Sequence, residues 1–145
     1  MDLFQTSEYK SLIMAHIKNT ITYLFSKNQE FGIVCEVKHV HFDPELPESI
    51  KESFDNTILF ILSGYTFESA KLEKDTFFFE AGFGSDNFGS TVNIPLLAIK
   101  QIMVDEYPIV FNLADPKKED KAKENSMEAL LNNPKNRALL KKKES

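Results

Sequence analysis

The chain has 145 residues and a mass of 16.6 kDa, with 17 Lys+Arg against 22 Asp+Glu for a net charge of -5. That is one ordinary domain with room for a tail, and 42% hydrophobic residues suffice for a packed core, which excludes wholesale disorder. The acidic balance argues against a nucleic-acid binder, and a single cysteine, Cys35, excludes an intramolecular disulfide and a four-cysteine zinc site.

In chain order, residues 7–27 predict a helix. Tyr9, Leu12, Ile13, His16, Ile17, Thr20, Ile21, Leu24 and Phe25 recur at i, i+3, i+4 spacing. Thr6 or Ser7 can cap it, with Glu8 in the positive first turn. The stripe serves either the domain's own core or a second copy of the chain. Short strands follow. Phe31 to Val37 alternates, Asp43 to Pro47 is a loop, and Glu48 to Phe54 suits one or two helical turns. Thr57 to Leu62 is a continuous apolar run, expected to be buried on both faces. Ser63-Gly64 turns the chain. Tyr65 to Leu72 and Thr76 to Phe83 read as strands joined by a tight hairpin, and Gly84 to Gly89 is a second turn. Thr91 to Ile94 is a strand, Pro95 to Met103 suits a short helix, and Tyr107 to Leu113 is a last strand with Pro108 near its start. The expected fold is mainly β: an N-terminal helix over residues 7–27 and a small antiparallel barrel or sandwich over 31–113.

The charge is unevenly spread. Residues 1–114 hold 8 Lys+Arg and 16 Asp+Glu, a net -8, while residues 115–145 hold 9 and 6, a net +3. No aromatic follows Phe111. Such a segment buries too little surface to offset its ordering entropy, so 115–145 reads as a flexible linker and tail. It carries two apolar islands, Met127 to Leu131 and Ala138 to Leu140. No apolar run approaches the ~20 residues of a bilayer span. The Met-Asp start lacks the basic region of a secretory signal, and the expected location is the cytoplasm.

Several motifs have bland readings. Gly82-Phe83-Gly84-Ser85 lacks the Gly-Lys-Ser/Thr ending of a phosphate loop and is better a hairpin turn. His39, His41 and Asp43 sit at i, i+2, i+4, which on a strand puts three potential metal ligands on one face. A solvated strand face explains them as well, and no metal or other cofactor is expected. No Ser stands in a nucleophile elbow, and Cys35 lies in an apolar alternation that favours an inert thiol, so no enzyme is expected. Along 77–84, Phe77, Phe79, Ala81 and Phe83 share one face. A glycine within a strand often marks the approach of another backbone, and an aromatic wall beside small residues suits an extended peptide.

Those residues carry a resemblance. FEAGFG at 79–84 and VNIPLLAI at 92–99, preceded by DPELP at 43–47 and NTILFIL at 56–62, resemble the SspB family, stringent starvation protein B adaptors of the ClpXP protease. The helix and YPIVFNL at 107–113 fall where that family has such elements, and the likeness is closest to its alphaproteobacterial variant. The resemblance spans nearly all of 7–113. It implies an Sm-like β-barrel, a cytoplasmic homodimer formed by the helix, and a groove that captures ssrA (tmRNA-encoded) degradation tags. It also implies a tail that docks on the ClpX unfoldase. By position, the peptide-binding residues are Leu62, Ser63, Phe79, Ala81, Phe83 and Gly84. The dimer residues are Leu12, Ile13, His16, Ile17 and Ile21. The docking motif is Arg137, Ala138, Leu139, Leu140, Lys141 and Lys142. Unlike the family's pattern, Lys143-Glu144-Ser145 follow that motif, and Glu128 to Leu131 is a second candidate for it. The alternative function is an RNA-binding Sm-like module stacking bases on aromatic strands.

Overall fold

The computed structural model describes residues 2–116, and the chain beyond Pro116 lies outside them. The first long element is α1 (Ser7–Ser26). Thr6 caps it, its side chain accepting from the Tyr9 N–H. It ends because Asn28 turns left-handed at φ 53, and the Gln29 and Asn28 N–H groups close back on the Leu24 and Phe25 carbonyls. Ile13, Ile17, Ile21 and Leu24 form its buried face.

Eight strands follow, all paired antiparallel. One sheet has the order β3-β1-β7-β8, from β1 (Phe31–Glu36), β3 (Thr57–Leu62), β7 (Ile99–Val104) and β8 (Tyr107–Phe111). The other has the order β2-β6-β5-β4, from β2 (His41–Asp43), β4 (Lys71–Glu73), β5 (Thr76–Phe83) and β6 (Phe88–Pro95). Two short helices, α2 (Glu48–Lys51) and α3 (Gly64–Ser69), sit in the connections. The chain is thus mainly β with an N-terminal helix, and among the described residues no pairing joins one sheet to the other. No helix there is long and apolar enough to cross a membrane.

Phenylalanines fill the space between the sheets. Phe31 of β1 stacks with Phe77 of β5 at 6.4 Å, and Phe60 of β3 meets Phe79 of β5 edge-on at 5.2 Å. Phe25 of α1 adds a ring against Phe31, Phe67 and Phe77. Burying such a side chain contributes roughly 1.5–3 kcal/mol. The ends of the body are tied together as well. Gln5 Nε2 donates to the Leu113 carbonyl, and its Oε1 accepts from the Asp115 N–H.

Three expected elements differ. Residues 65–72 are not one strand: α3 occupies 64–69, and only Lys71–Glu73 extends. Gly64 takes φ 55 and starts the helical turn, which lets Phe67 reach the ring cluster while Tyr65 stays outside. The region 95–103 is a 3-10 turn (Leu96–Ala98) followed by β7. Its helix-like spacing has a cause. Ile99 and Ile102 pair with Cys35 and Ile33, three residues facing two, so a bulge returns both side chains to the core. Finally, β3 is buried on one face only: Phe60 and Leu62 point in, whereas Leu59 and Ile61 are exposed.

Asn112 fastens the end of β8. Its Nδ2 donates to the Leu97 and Ile99 carbonyls at 2.9 Å each, and its Oδ1 accepts from the Ala114 N–H at 2.8 Å, all with the side chain buried. Asn112→Ala strands buried backbone groups and should cost about 3 kcal/mol. A urea titration with an unchanged midpoint would show that the clamp carries no weight.

Candidate functional site

The second sheet presents an open groove of ≈ 540 Å³ on its outer side. Its floor is backbone. Gly82 of β5 faces Gly89 of β6 across the ladder, with Glu80 opposite Thr91 two pairs further on. Asp43 and Pro44 form one wall, Tyr65 and Thr66 of α3 the other, and Ala81, Asn87 and Ser90 complete the lining. A Cβ on Gly82 would lie 1.8 Å from Asn87 Oδ1, so the Asn87 side chain already spans that spot. Gly89 has nothing within 4 Å of its own Cβ position.

Beside this floor, among the described residues, the β5 edge carries no strand. Strand β4 pairs with β5 only as far as Phe78, opposite Lys71. Past that point the Glu80 N–H donates to Ser69 Oγ at 2.9 Å, and α3 takes the place of a strand. Backbone without a partner strand is the group that an added extended peptide pairs with. The charges lining the groove are two carboxylates, Asp43 and Glu80. The Tyr65 hydroxyl donates to Glu80 Oε2 at 2.7 Å, and this bond together with the Glu80 charge holds the phenol's pKa above its ordinary value. The other wall is pinned by Ser90 Oγ, which donates to the Pro44 carbonyl at 2.9 Å.

The sequence-predicted peptide residues divide in three. Ala81 lines the groove through its backbone, with its side chain on the inner face against the core, opposite Ser90. Phe79 and Leu62 lie beneath, at 1% and 0% exposure, as core. Phe83 is half-buried among Phe42, Phe54 and Phe60, while Ser63 and Gly84 are exposed at turns. Sequence reasoning missed Asp43, Tyr65, Thr66, Asn87 and Thr91. The signal available was the pair of glycines, 82 and 89, placed symmetrically about a hairpin.

Other candidates also resolve. Ile13, Ile17 and Ile21 are spent on the protein's own core, which leaves only Leu12 and His16 of the expected dimer residues exposed. His39, His41 and Asp43 do not share one strand face. His39 belongs to a 3-10 turn and is buried, with Nε2 3.6 Å from Glu36 Oε2 and 3.7 Å from Asp115 Oδ1, whereas His41 and Asp43 are exposed in β2. Glu36, His39 and Asp115 are close enough together to hold a metal ion, yet Lys100 Nζ already lies 2.8 Å from Glu36 Oε1 and supplies the positive charge. Cys35 is fully buried, and burial pushes its thiol pKa far up. The docking motif, Arg137 to Lys142, lies outside the described residues.

No protein-family model matches the chain, and no curated protein sequence matches it either.

Two substitutions probe the groove. Gly89→Leu places a side chain on the floor without an intramolecular clash. It should weaken binding of an extended peptide at least about tenfold, or 1.4 kcal/mol, while leaving the melting temperature near wild type. Fluorescence anisotropy with unchanged affinity would move the site elsewhere. Glu80→Gln removes the charge that favours the neutral Tyr65 phenol. Ultraviolet titration should then show that phenol ionising at lower pH, back toward the ordinary ~10.

Proposed function

We propose that this protein is a non-catalytic adaptor that binds ssrA-tagged proteins and tethers them to the ClpXP protease. The observation that carries the reading is the position of 79–84. A segment that carries the family resemblance supplies Glu80, Ala81 and Gly82 to an open groove, beside a stretch of the β5 edge past Phe78 that, among the described residues, no strand pairs with. The tag would lie extended along that edge, main chain to main chain, with the walls at Asp43–Pro44 and Tyr65–Thr66 setting which side chains fit. In this reading the two sheets form an opened variant of the Sm-like barrel.

The work is tethering. The tail docks on the unfoldase through Arg137 to Lys142, or through the island at 128–131, while the groove holds the tag. Two weak contacts joined by a short flexible linker act at an effective concentration of order mM. A cytoplasmic homodimer through the open side of α1, at Leu12 and His16, would double both contacts.

The exposed rings of Tyr107 and Phe111 on the first sheet are what an RNA-stacking module would use. The body's net charge of -8 opposes it. One experiment separates the readings: binding of a C-terminal ssrA-type peptide and of single-stranded RNA at two salt concentrations. Peptide binding with no RNA affinity supports the adaptor; salt-sensitive RNA binding alone overturns it. Deleting 126–145 should then leave peptide affinity unchanged and abolish stimulated degradation of a tagged substrate. Undiminished degradation by the truncated chain would sink the tethering mechanism.

A further inference from the structure

The outer face of the first sheet is apolar, and among the described residues nothing covers it. Strand register sets two rows across it: Ile61, Gly32 and Met103 in one, and Leu59, Val34, Gln101 and Phe111 in the other. Leu59, Ile61 and Phe111 are 50%, 58% and 56% exposed. Gly32 has no side chain, and the Leu59 and Ile61 side chains lean over it, their Cδ1 atoms 3.1 and 3.4 Å from where its Cβ would lie. A cavity of ≈ 230 Å³ is lined there by Gly32, Leu59, Ile61 and Met103. Three carboxylates, Glu30, Asp105 and Glu106, line the same cavity. Among the described residues none of the three forms an ion pair. The chemistry that fits is an aliphatic side chain followed directly by cations.

The chain carries that sequence itself. Leu139-Leu140 runs straight into Lys141-Lys142-Lys143. The other island, Leu130-Leu131, is preceded by Glu128 and runs into Asn132-Asn133-Pro134, so it offers no such charge. The geometry allows contact in cis. The described chain ends beside Glu36 and His39, where Asp115 lies, whereas the cavity sits at the Phe31 end of β1. The length of β1 separates them by about 20 Å. The chain from Pro116 to Leu139 is long enough to reach across that distance, since an extended chain spans about 3.3 Å per residue.

We infer that the segment Leu139 to Lys143 docks on its own body, a leucine in the Gly32 cavity and the lysines against Glu30, Asp105 and Glu106. The contact stands on charge and reach alone. Its functional consequence rests on the adaptor reading: the docked segment overlaps the proposed ClpX motif, so binding to the body and binding to the unfoldase exclude each other. At an effective concentration of order mM, a contact with a Kd of about 0.1 mM keeps roughly nine chains in ten closed.

The test uses the full chain, without tag or unfoldase, so its outcome is independent of the adaptor reading. Methyl-labelled protein is compared with Leu139→Ser/Leu140→Ser and with Asp105→Asn/Glu106→Gly. The second pair suits the fold, because positions 105 and 106 sit at φ 50 and 71, where Asn and Gly are at ease. Both variants should shift the Leu59, Ile61 and Met103 methyl resonances in the same direction, as should raised salt. A synthetic peptide covering 134–145, added near 1 mM to the Leu139→Ser/Leu140→Ser variant, should restore them. Resonances that do not move in either variant overturn the proposal. So do shifts that vanish on dilution alongside a dimer in sedimentation, since the tail then docks on a second copy.

Discussion

The fold depends on phenylalanine rings holding two sheets face to face. Among the described residues neither sheet has a second buried face and no strand crosses from one to the other, so the ring contacts Phe31–Phe77 and Phe60–Phe79 carry the association. Phe25 and Phe67 bring α1 and α3 into the same cluster, which fixes α3 beside β5. The groove wall at Tyr65–Thr66 is therefore positioned from the core. Removing a ring beneath would loosen a site it never touches.

Among the described residues both outer faces are uncovered, and they differ in kind. The second sheet exposes main chain, because Gly82 and Gly89 face each other. The first sheet exposes aliphatic carbon around one glycine. Main chain pairs with main chain and tolerates many sequences, while an apolar hole selects shape and size. Two unlike surfaces on opposite sides suit a molecule that keeps two contacts apart.

Much of this was legible in the residues. The α1 stripe, the strand expected over 31–37 and found over 31–36, the 76–83 strand, and the turn expected over 84–89 and found over 84–87 follow from period and turn chemistry. The errors have physical sources. In β7 a bulge turned a period of two into a spacing of three, which imitates a helix. At 65–69 one buried ring, Phe67, outweighed the strand pattern around it. The apolar run TILFIL implied two buried faces, but its neighbour β1 has Gly32 and Val34 on the outward side, so no described residue covers Leu59 and Ile61. The groove was half legible: the glycines were visible in the sequence, but Asp43 and Tyr65 reach them only through the register of β2 and the placement of α3.

Cys35 lies at the middle of this packing with its thiolate suppressed by burial. The protein is in effect blind to thiol reagents while folded, although it contains a cysteine. A cysteine introduced on the groove wall or in the tail would be the one site that takes a dye. The inferred docking of Leu139 to Lys143 is therefore open to test by fluorescence in an otherwise native chain.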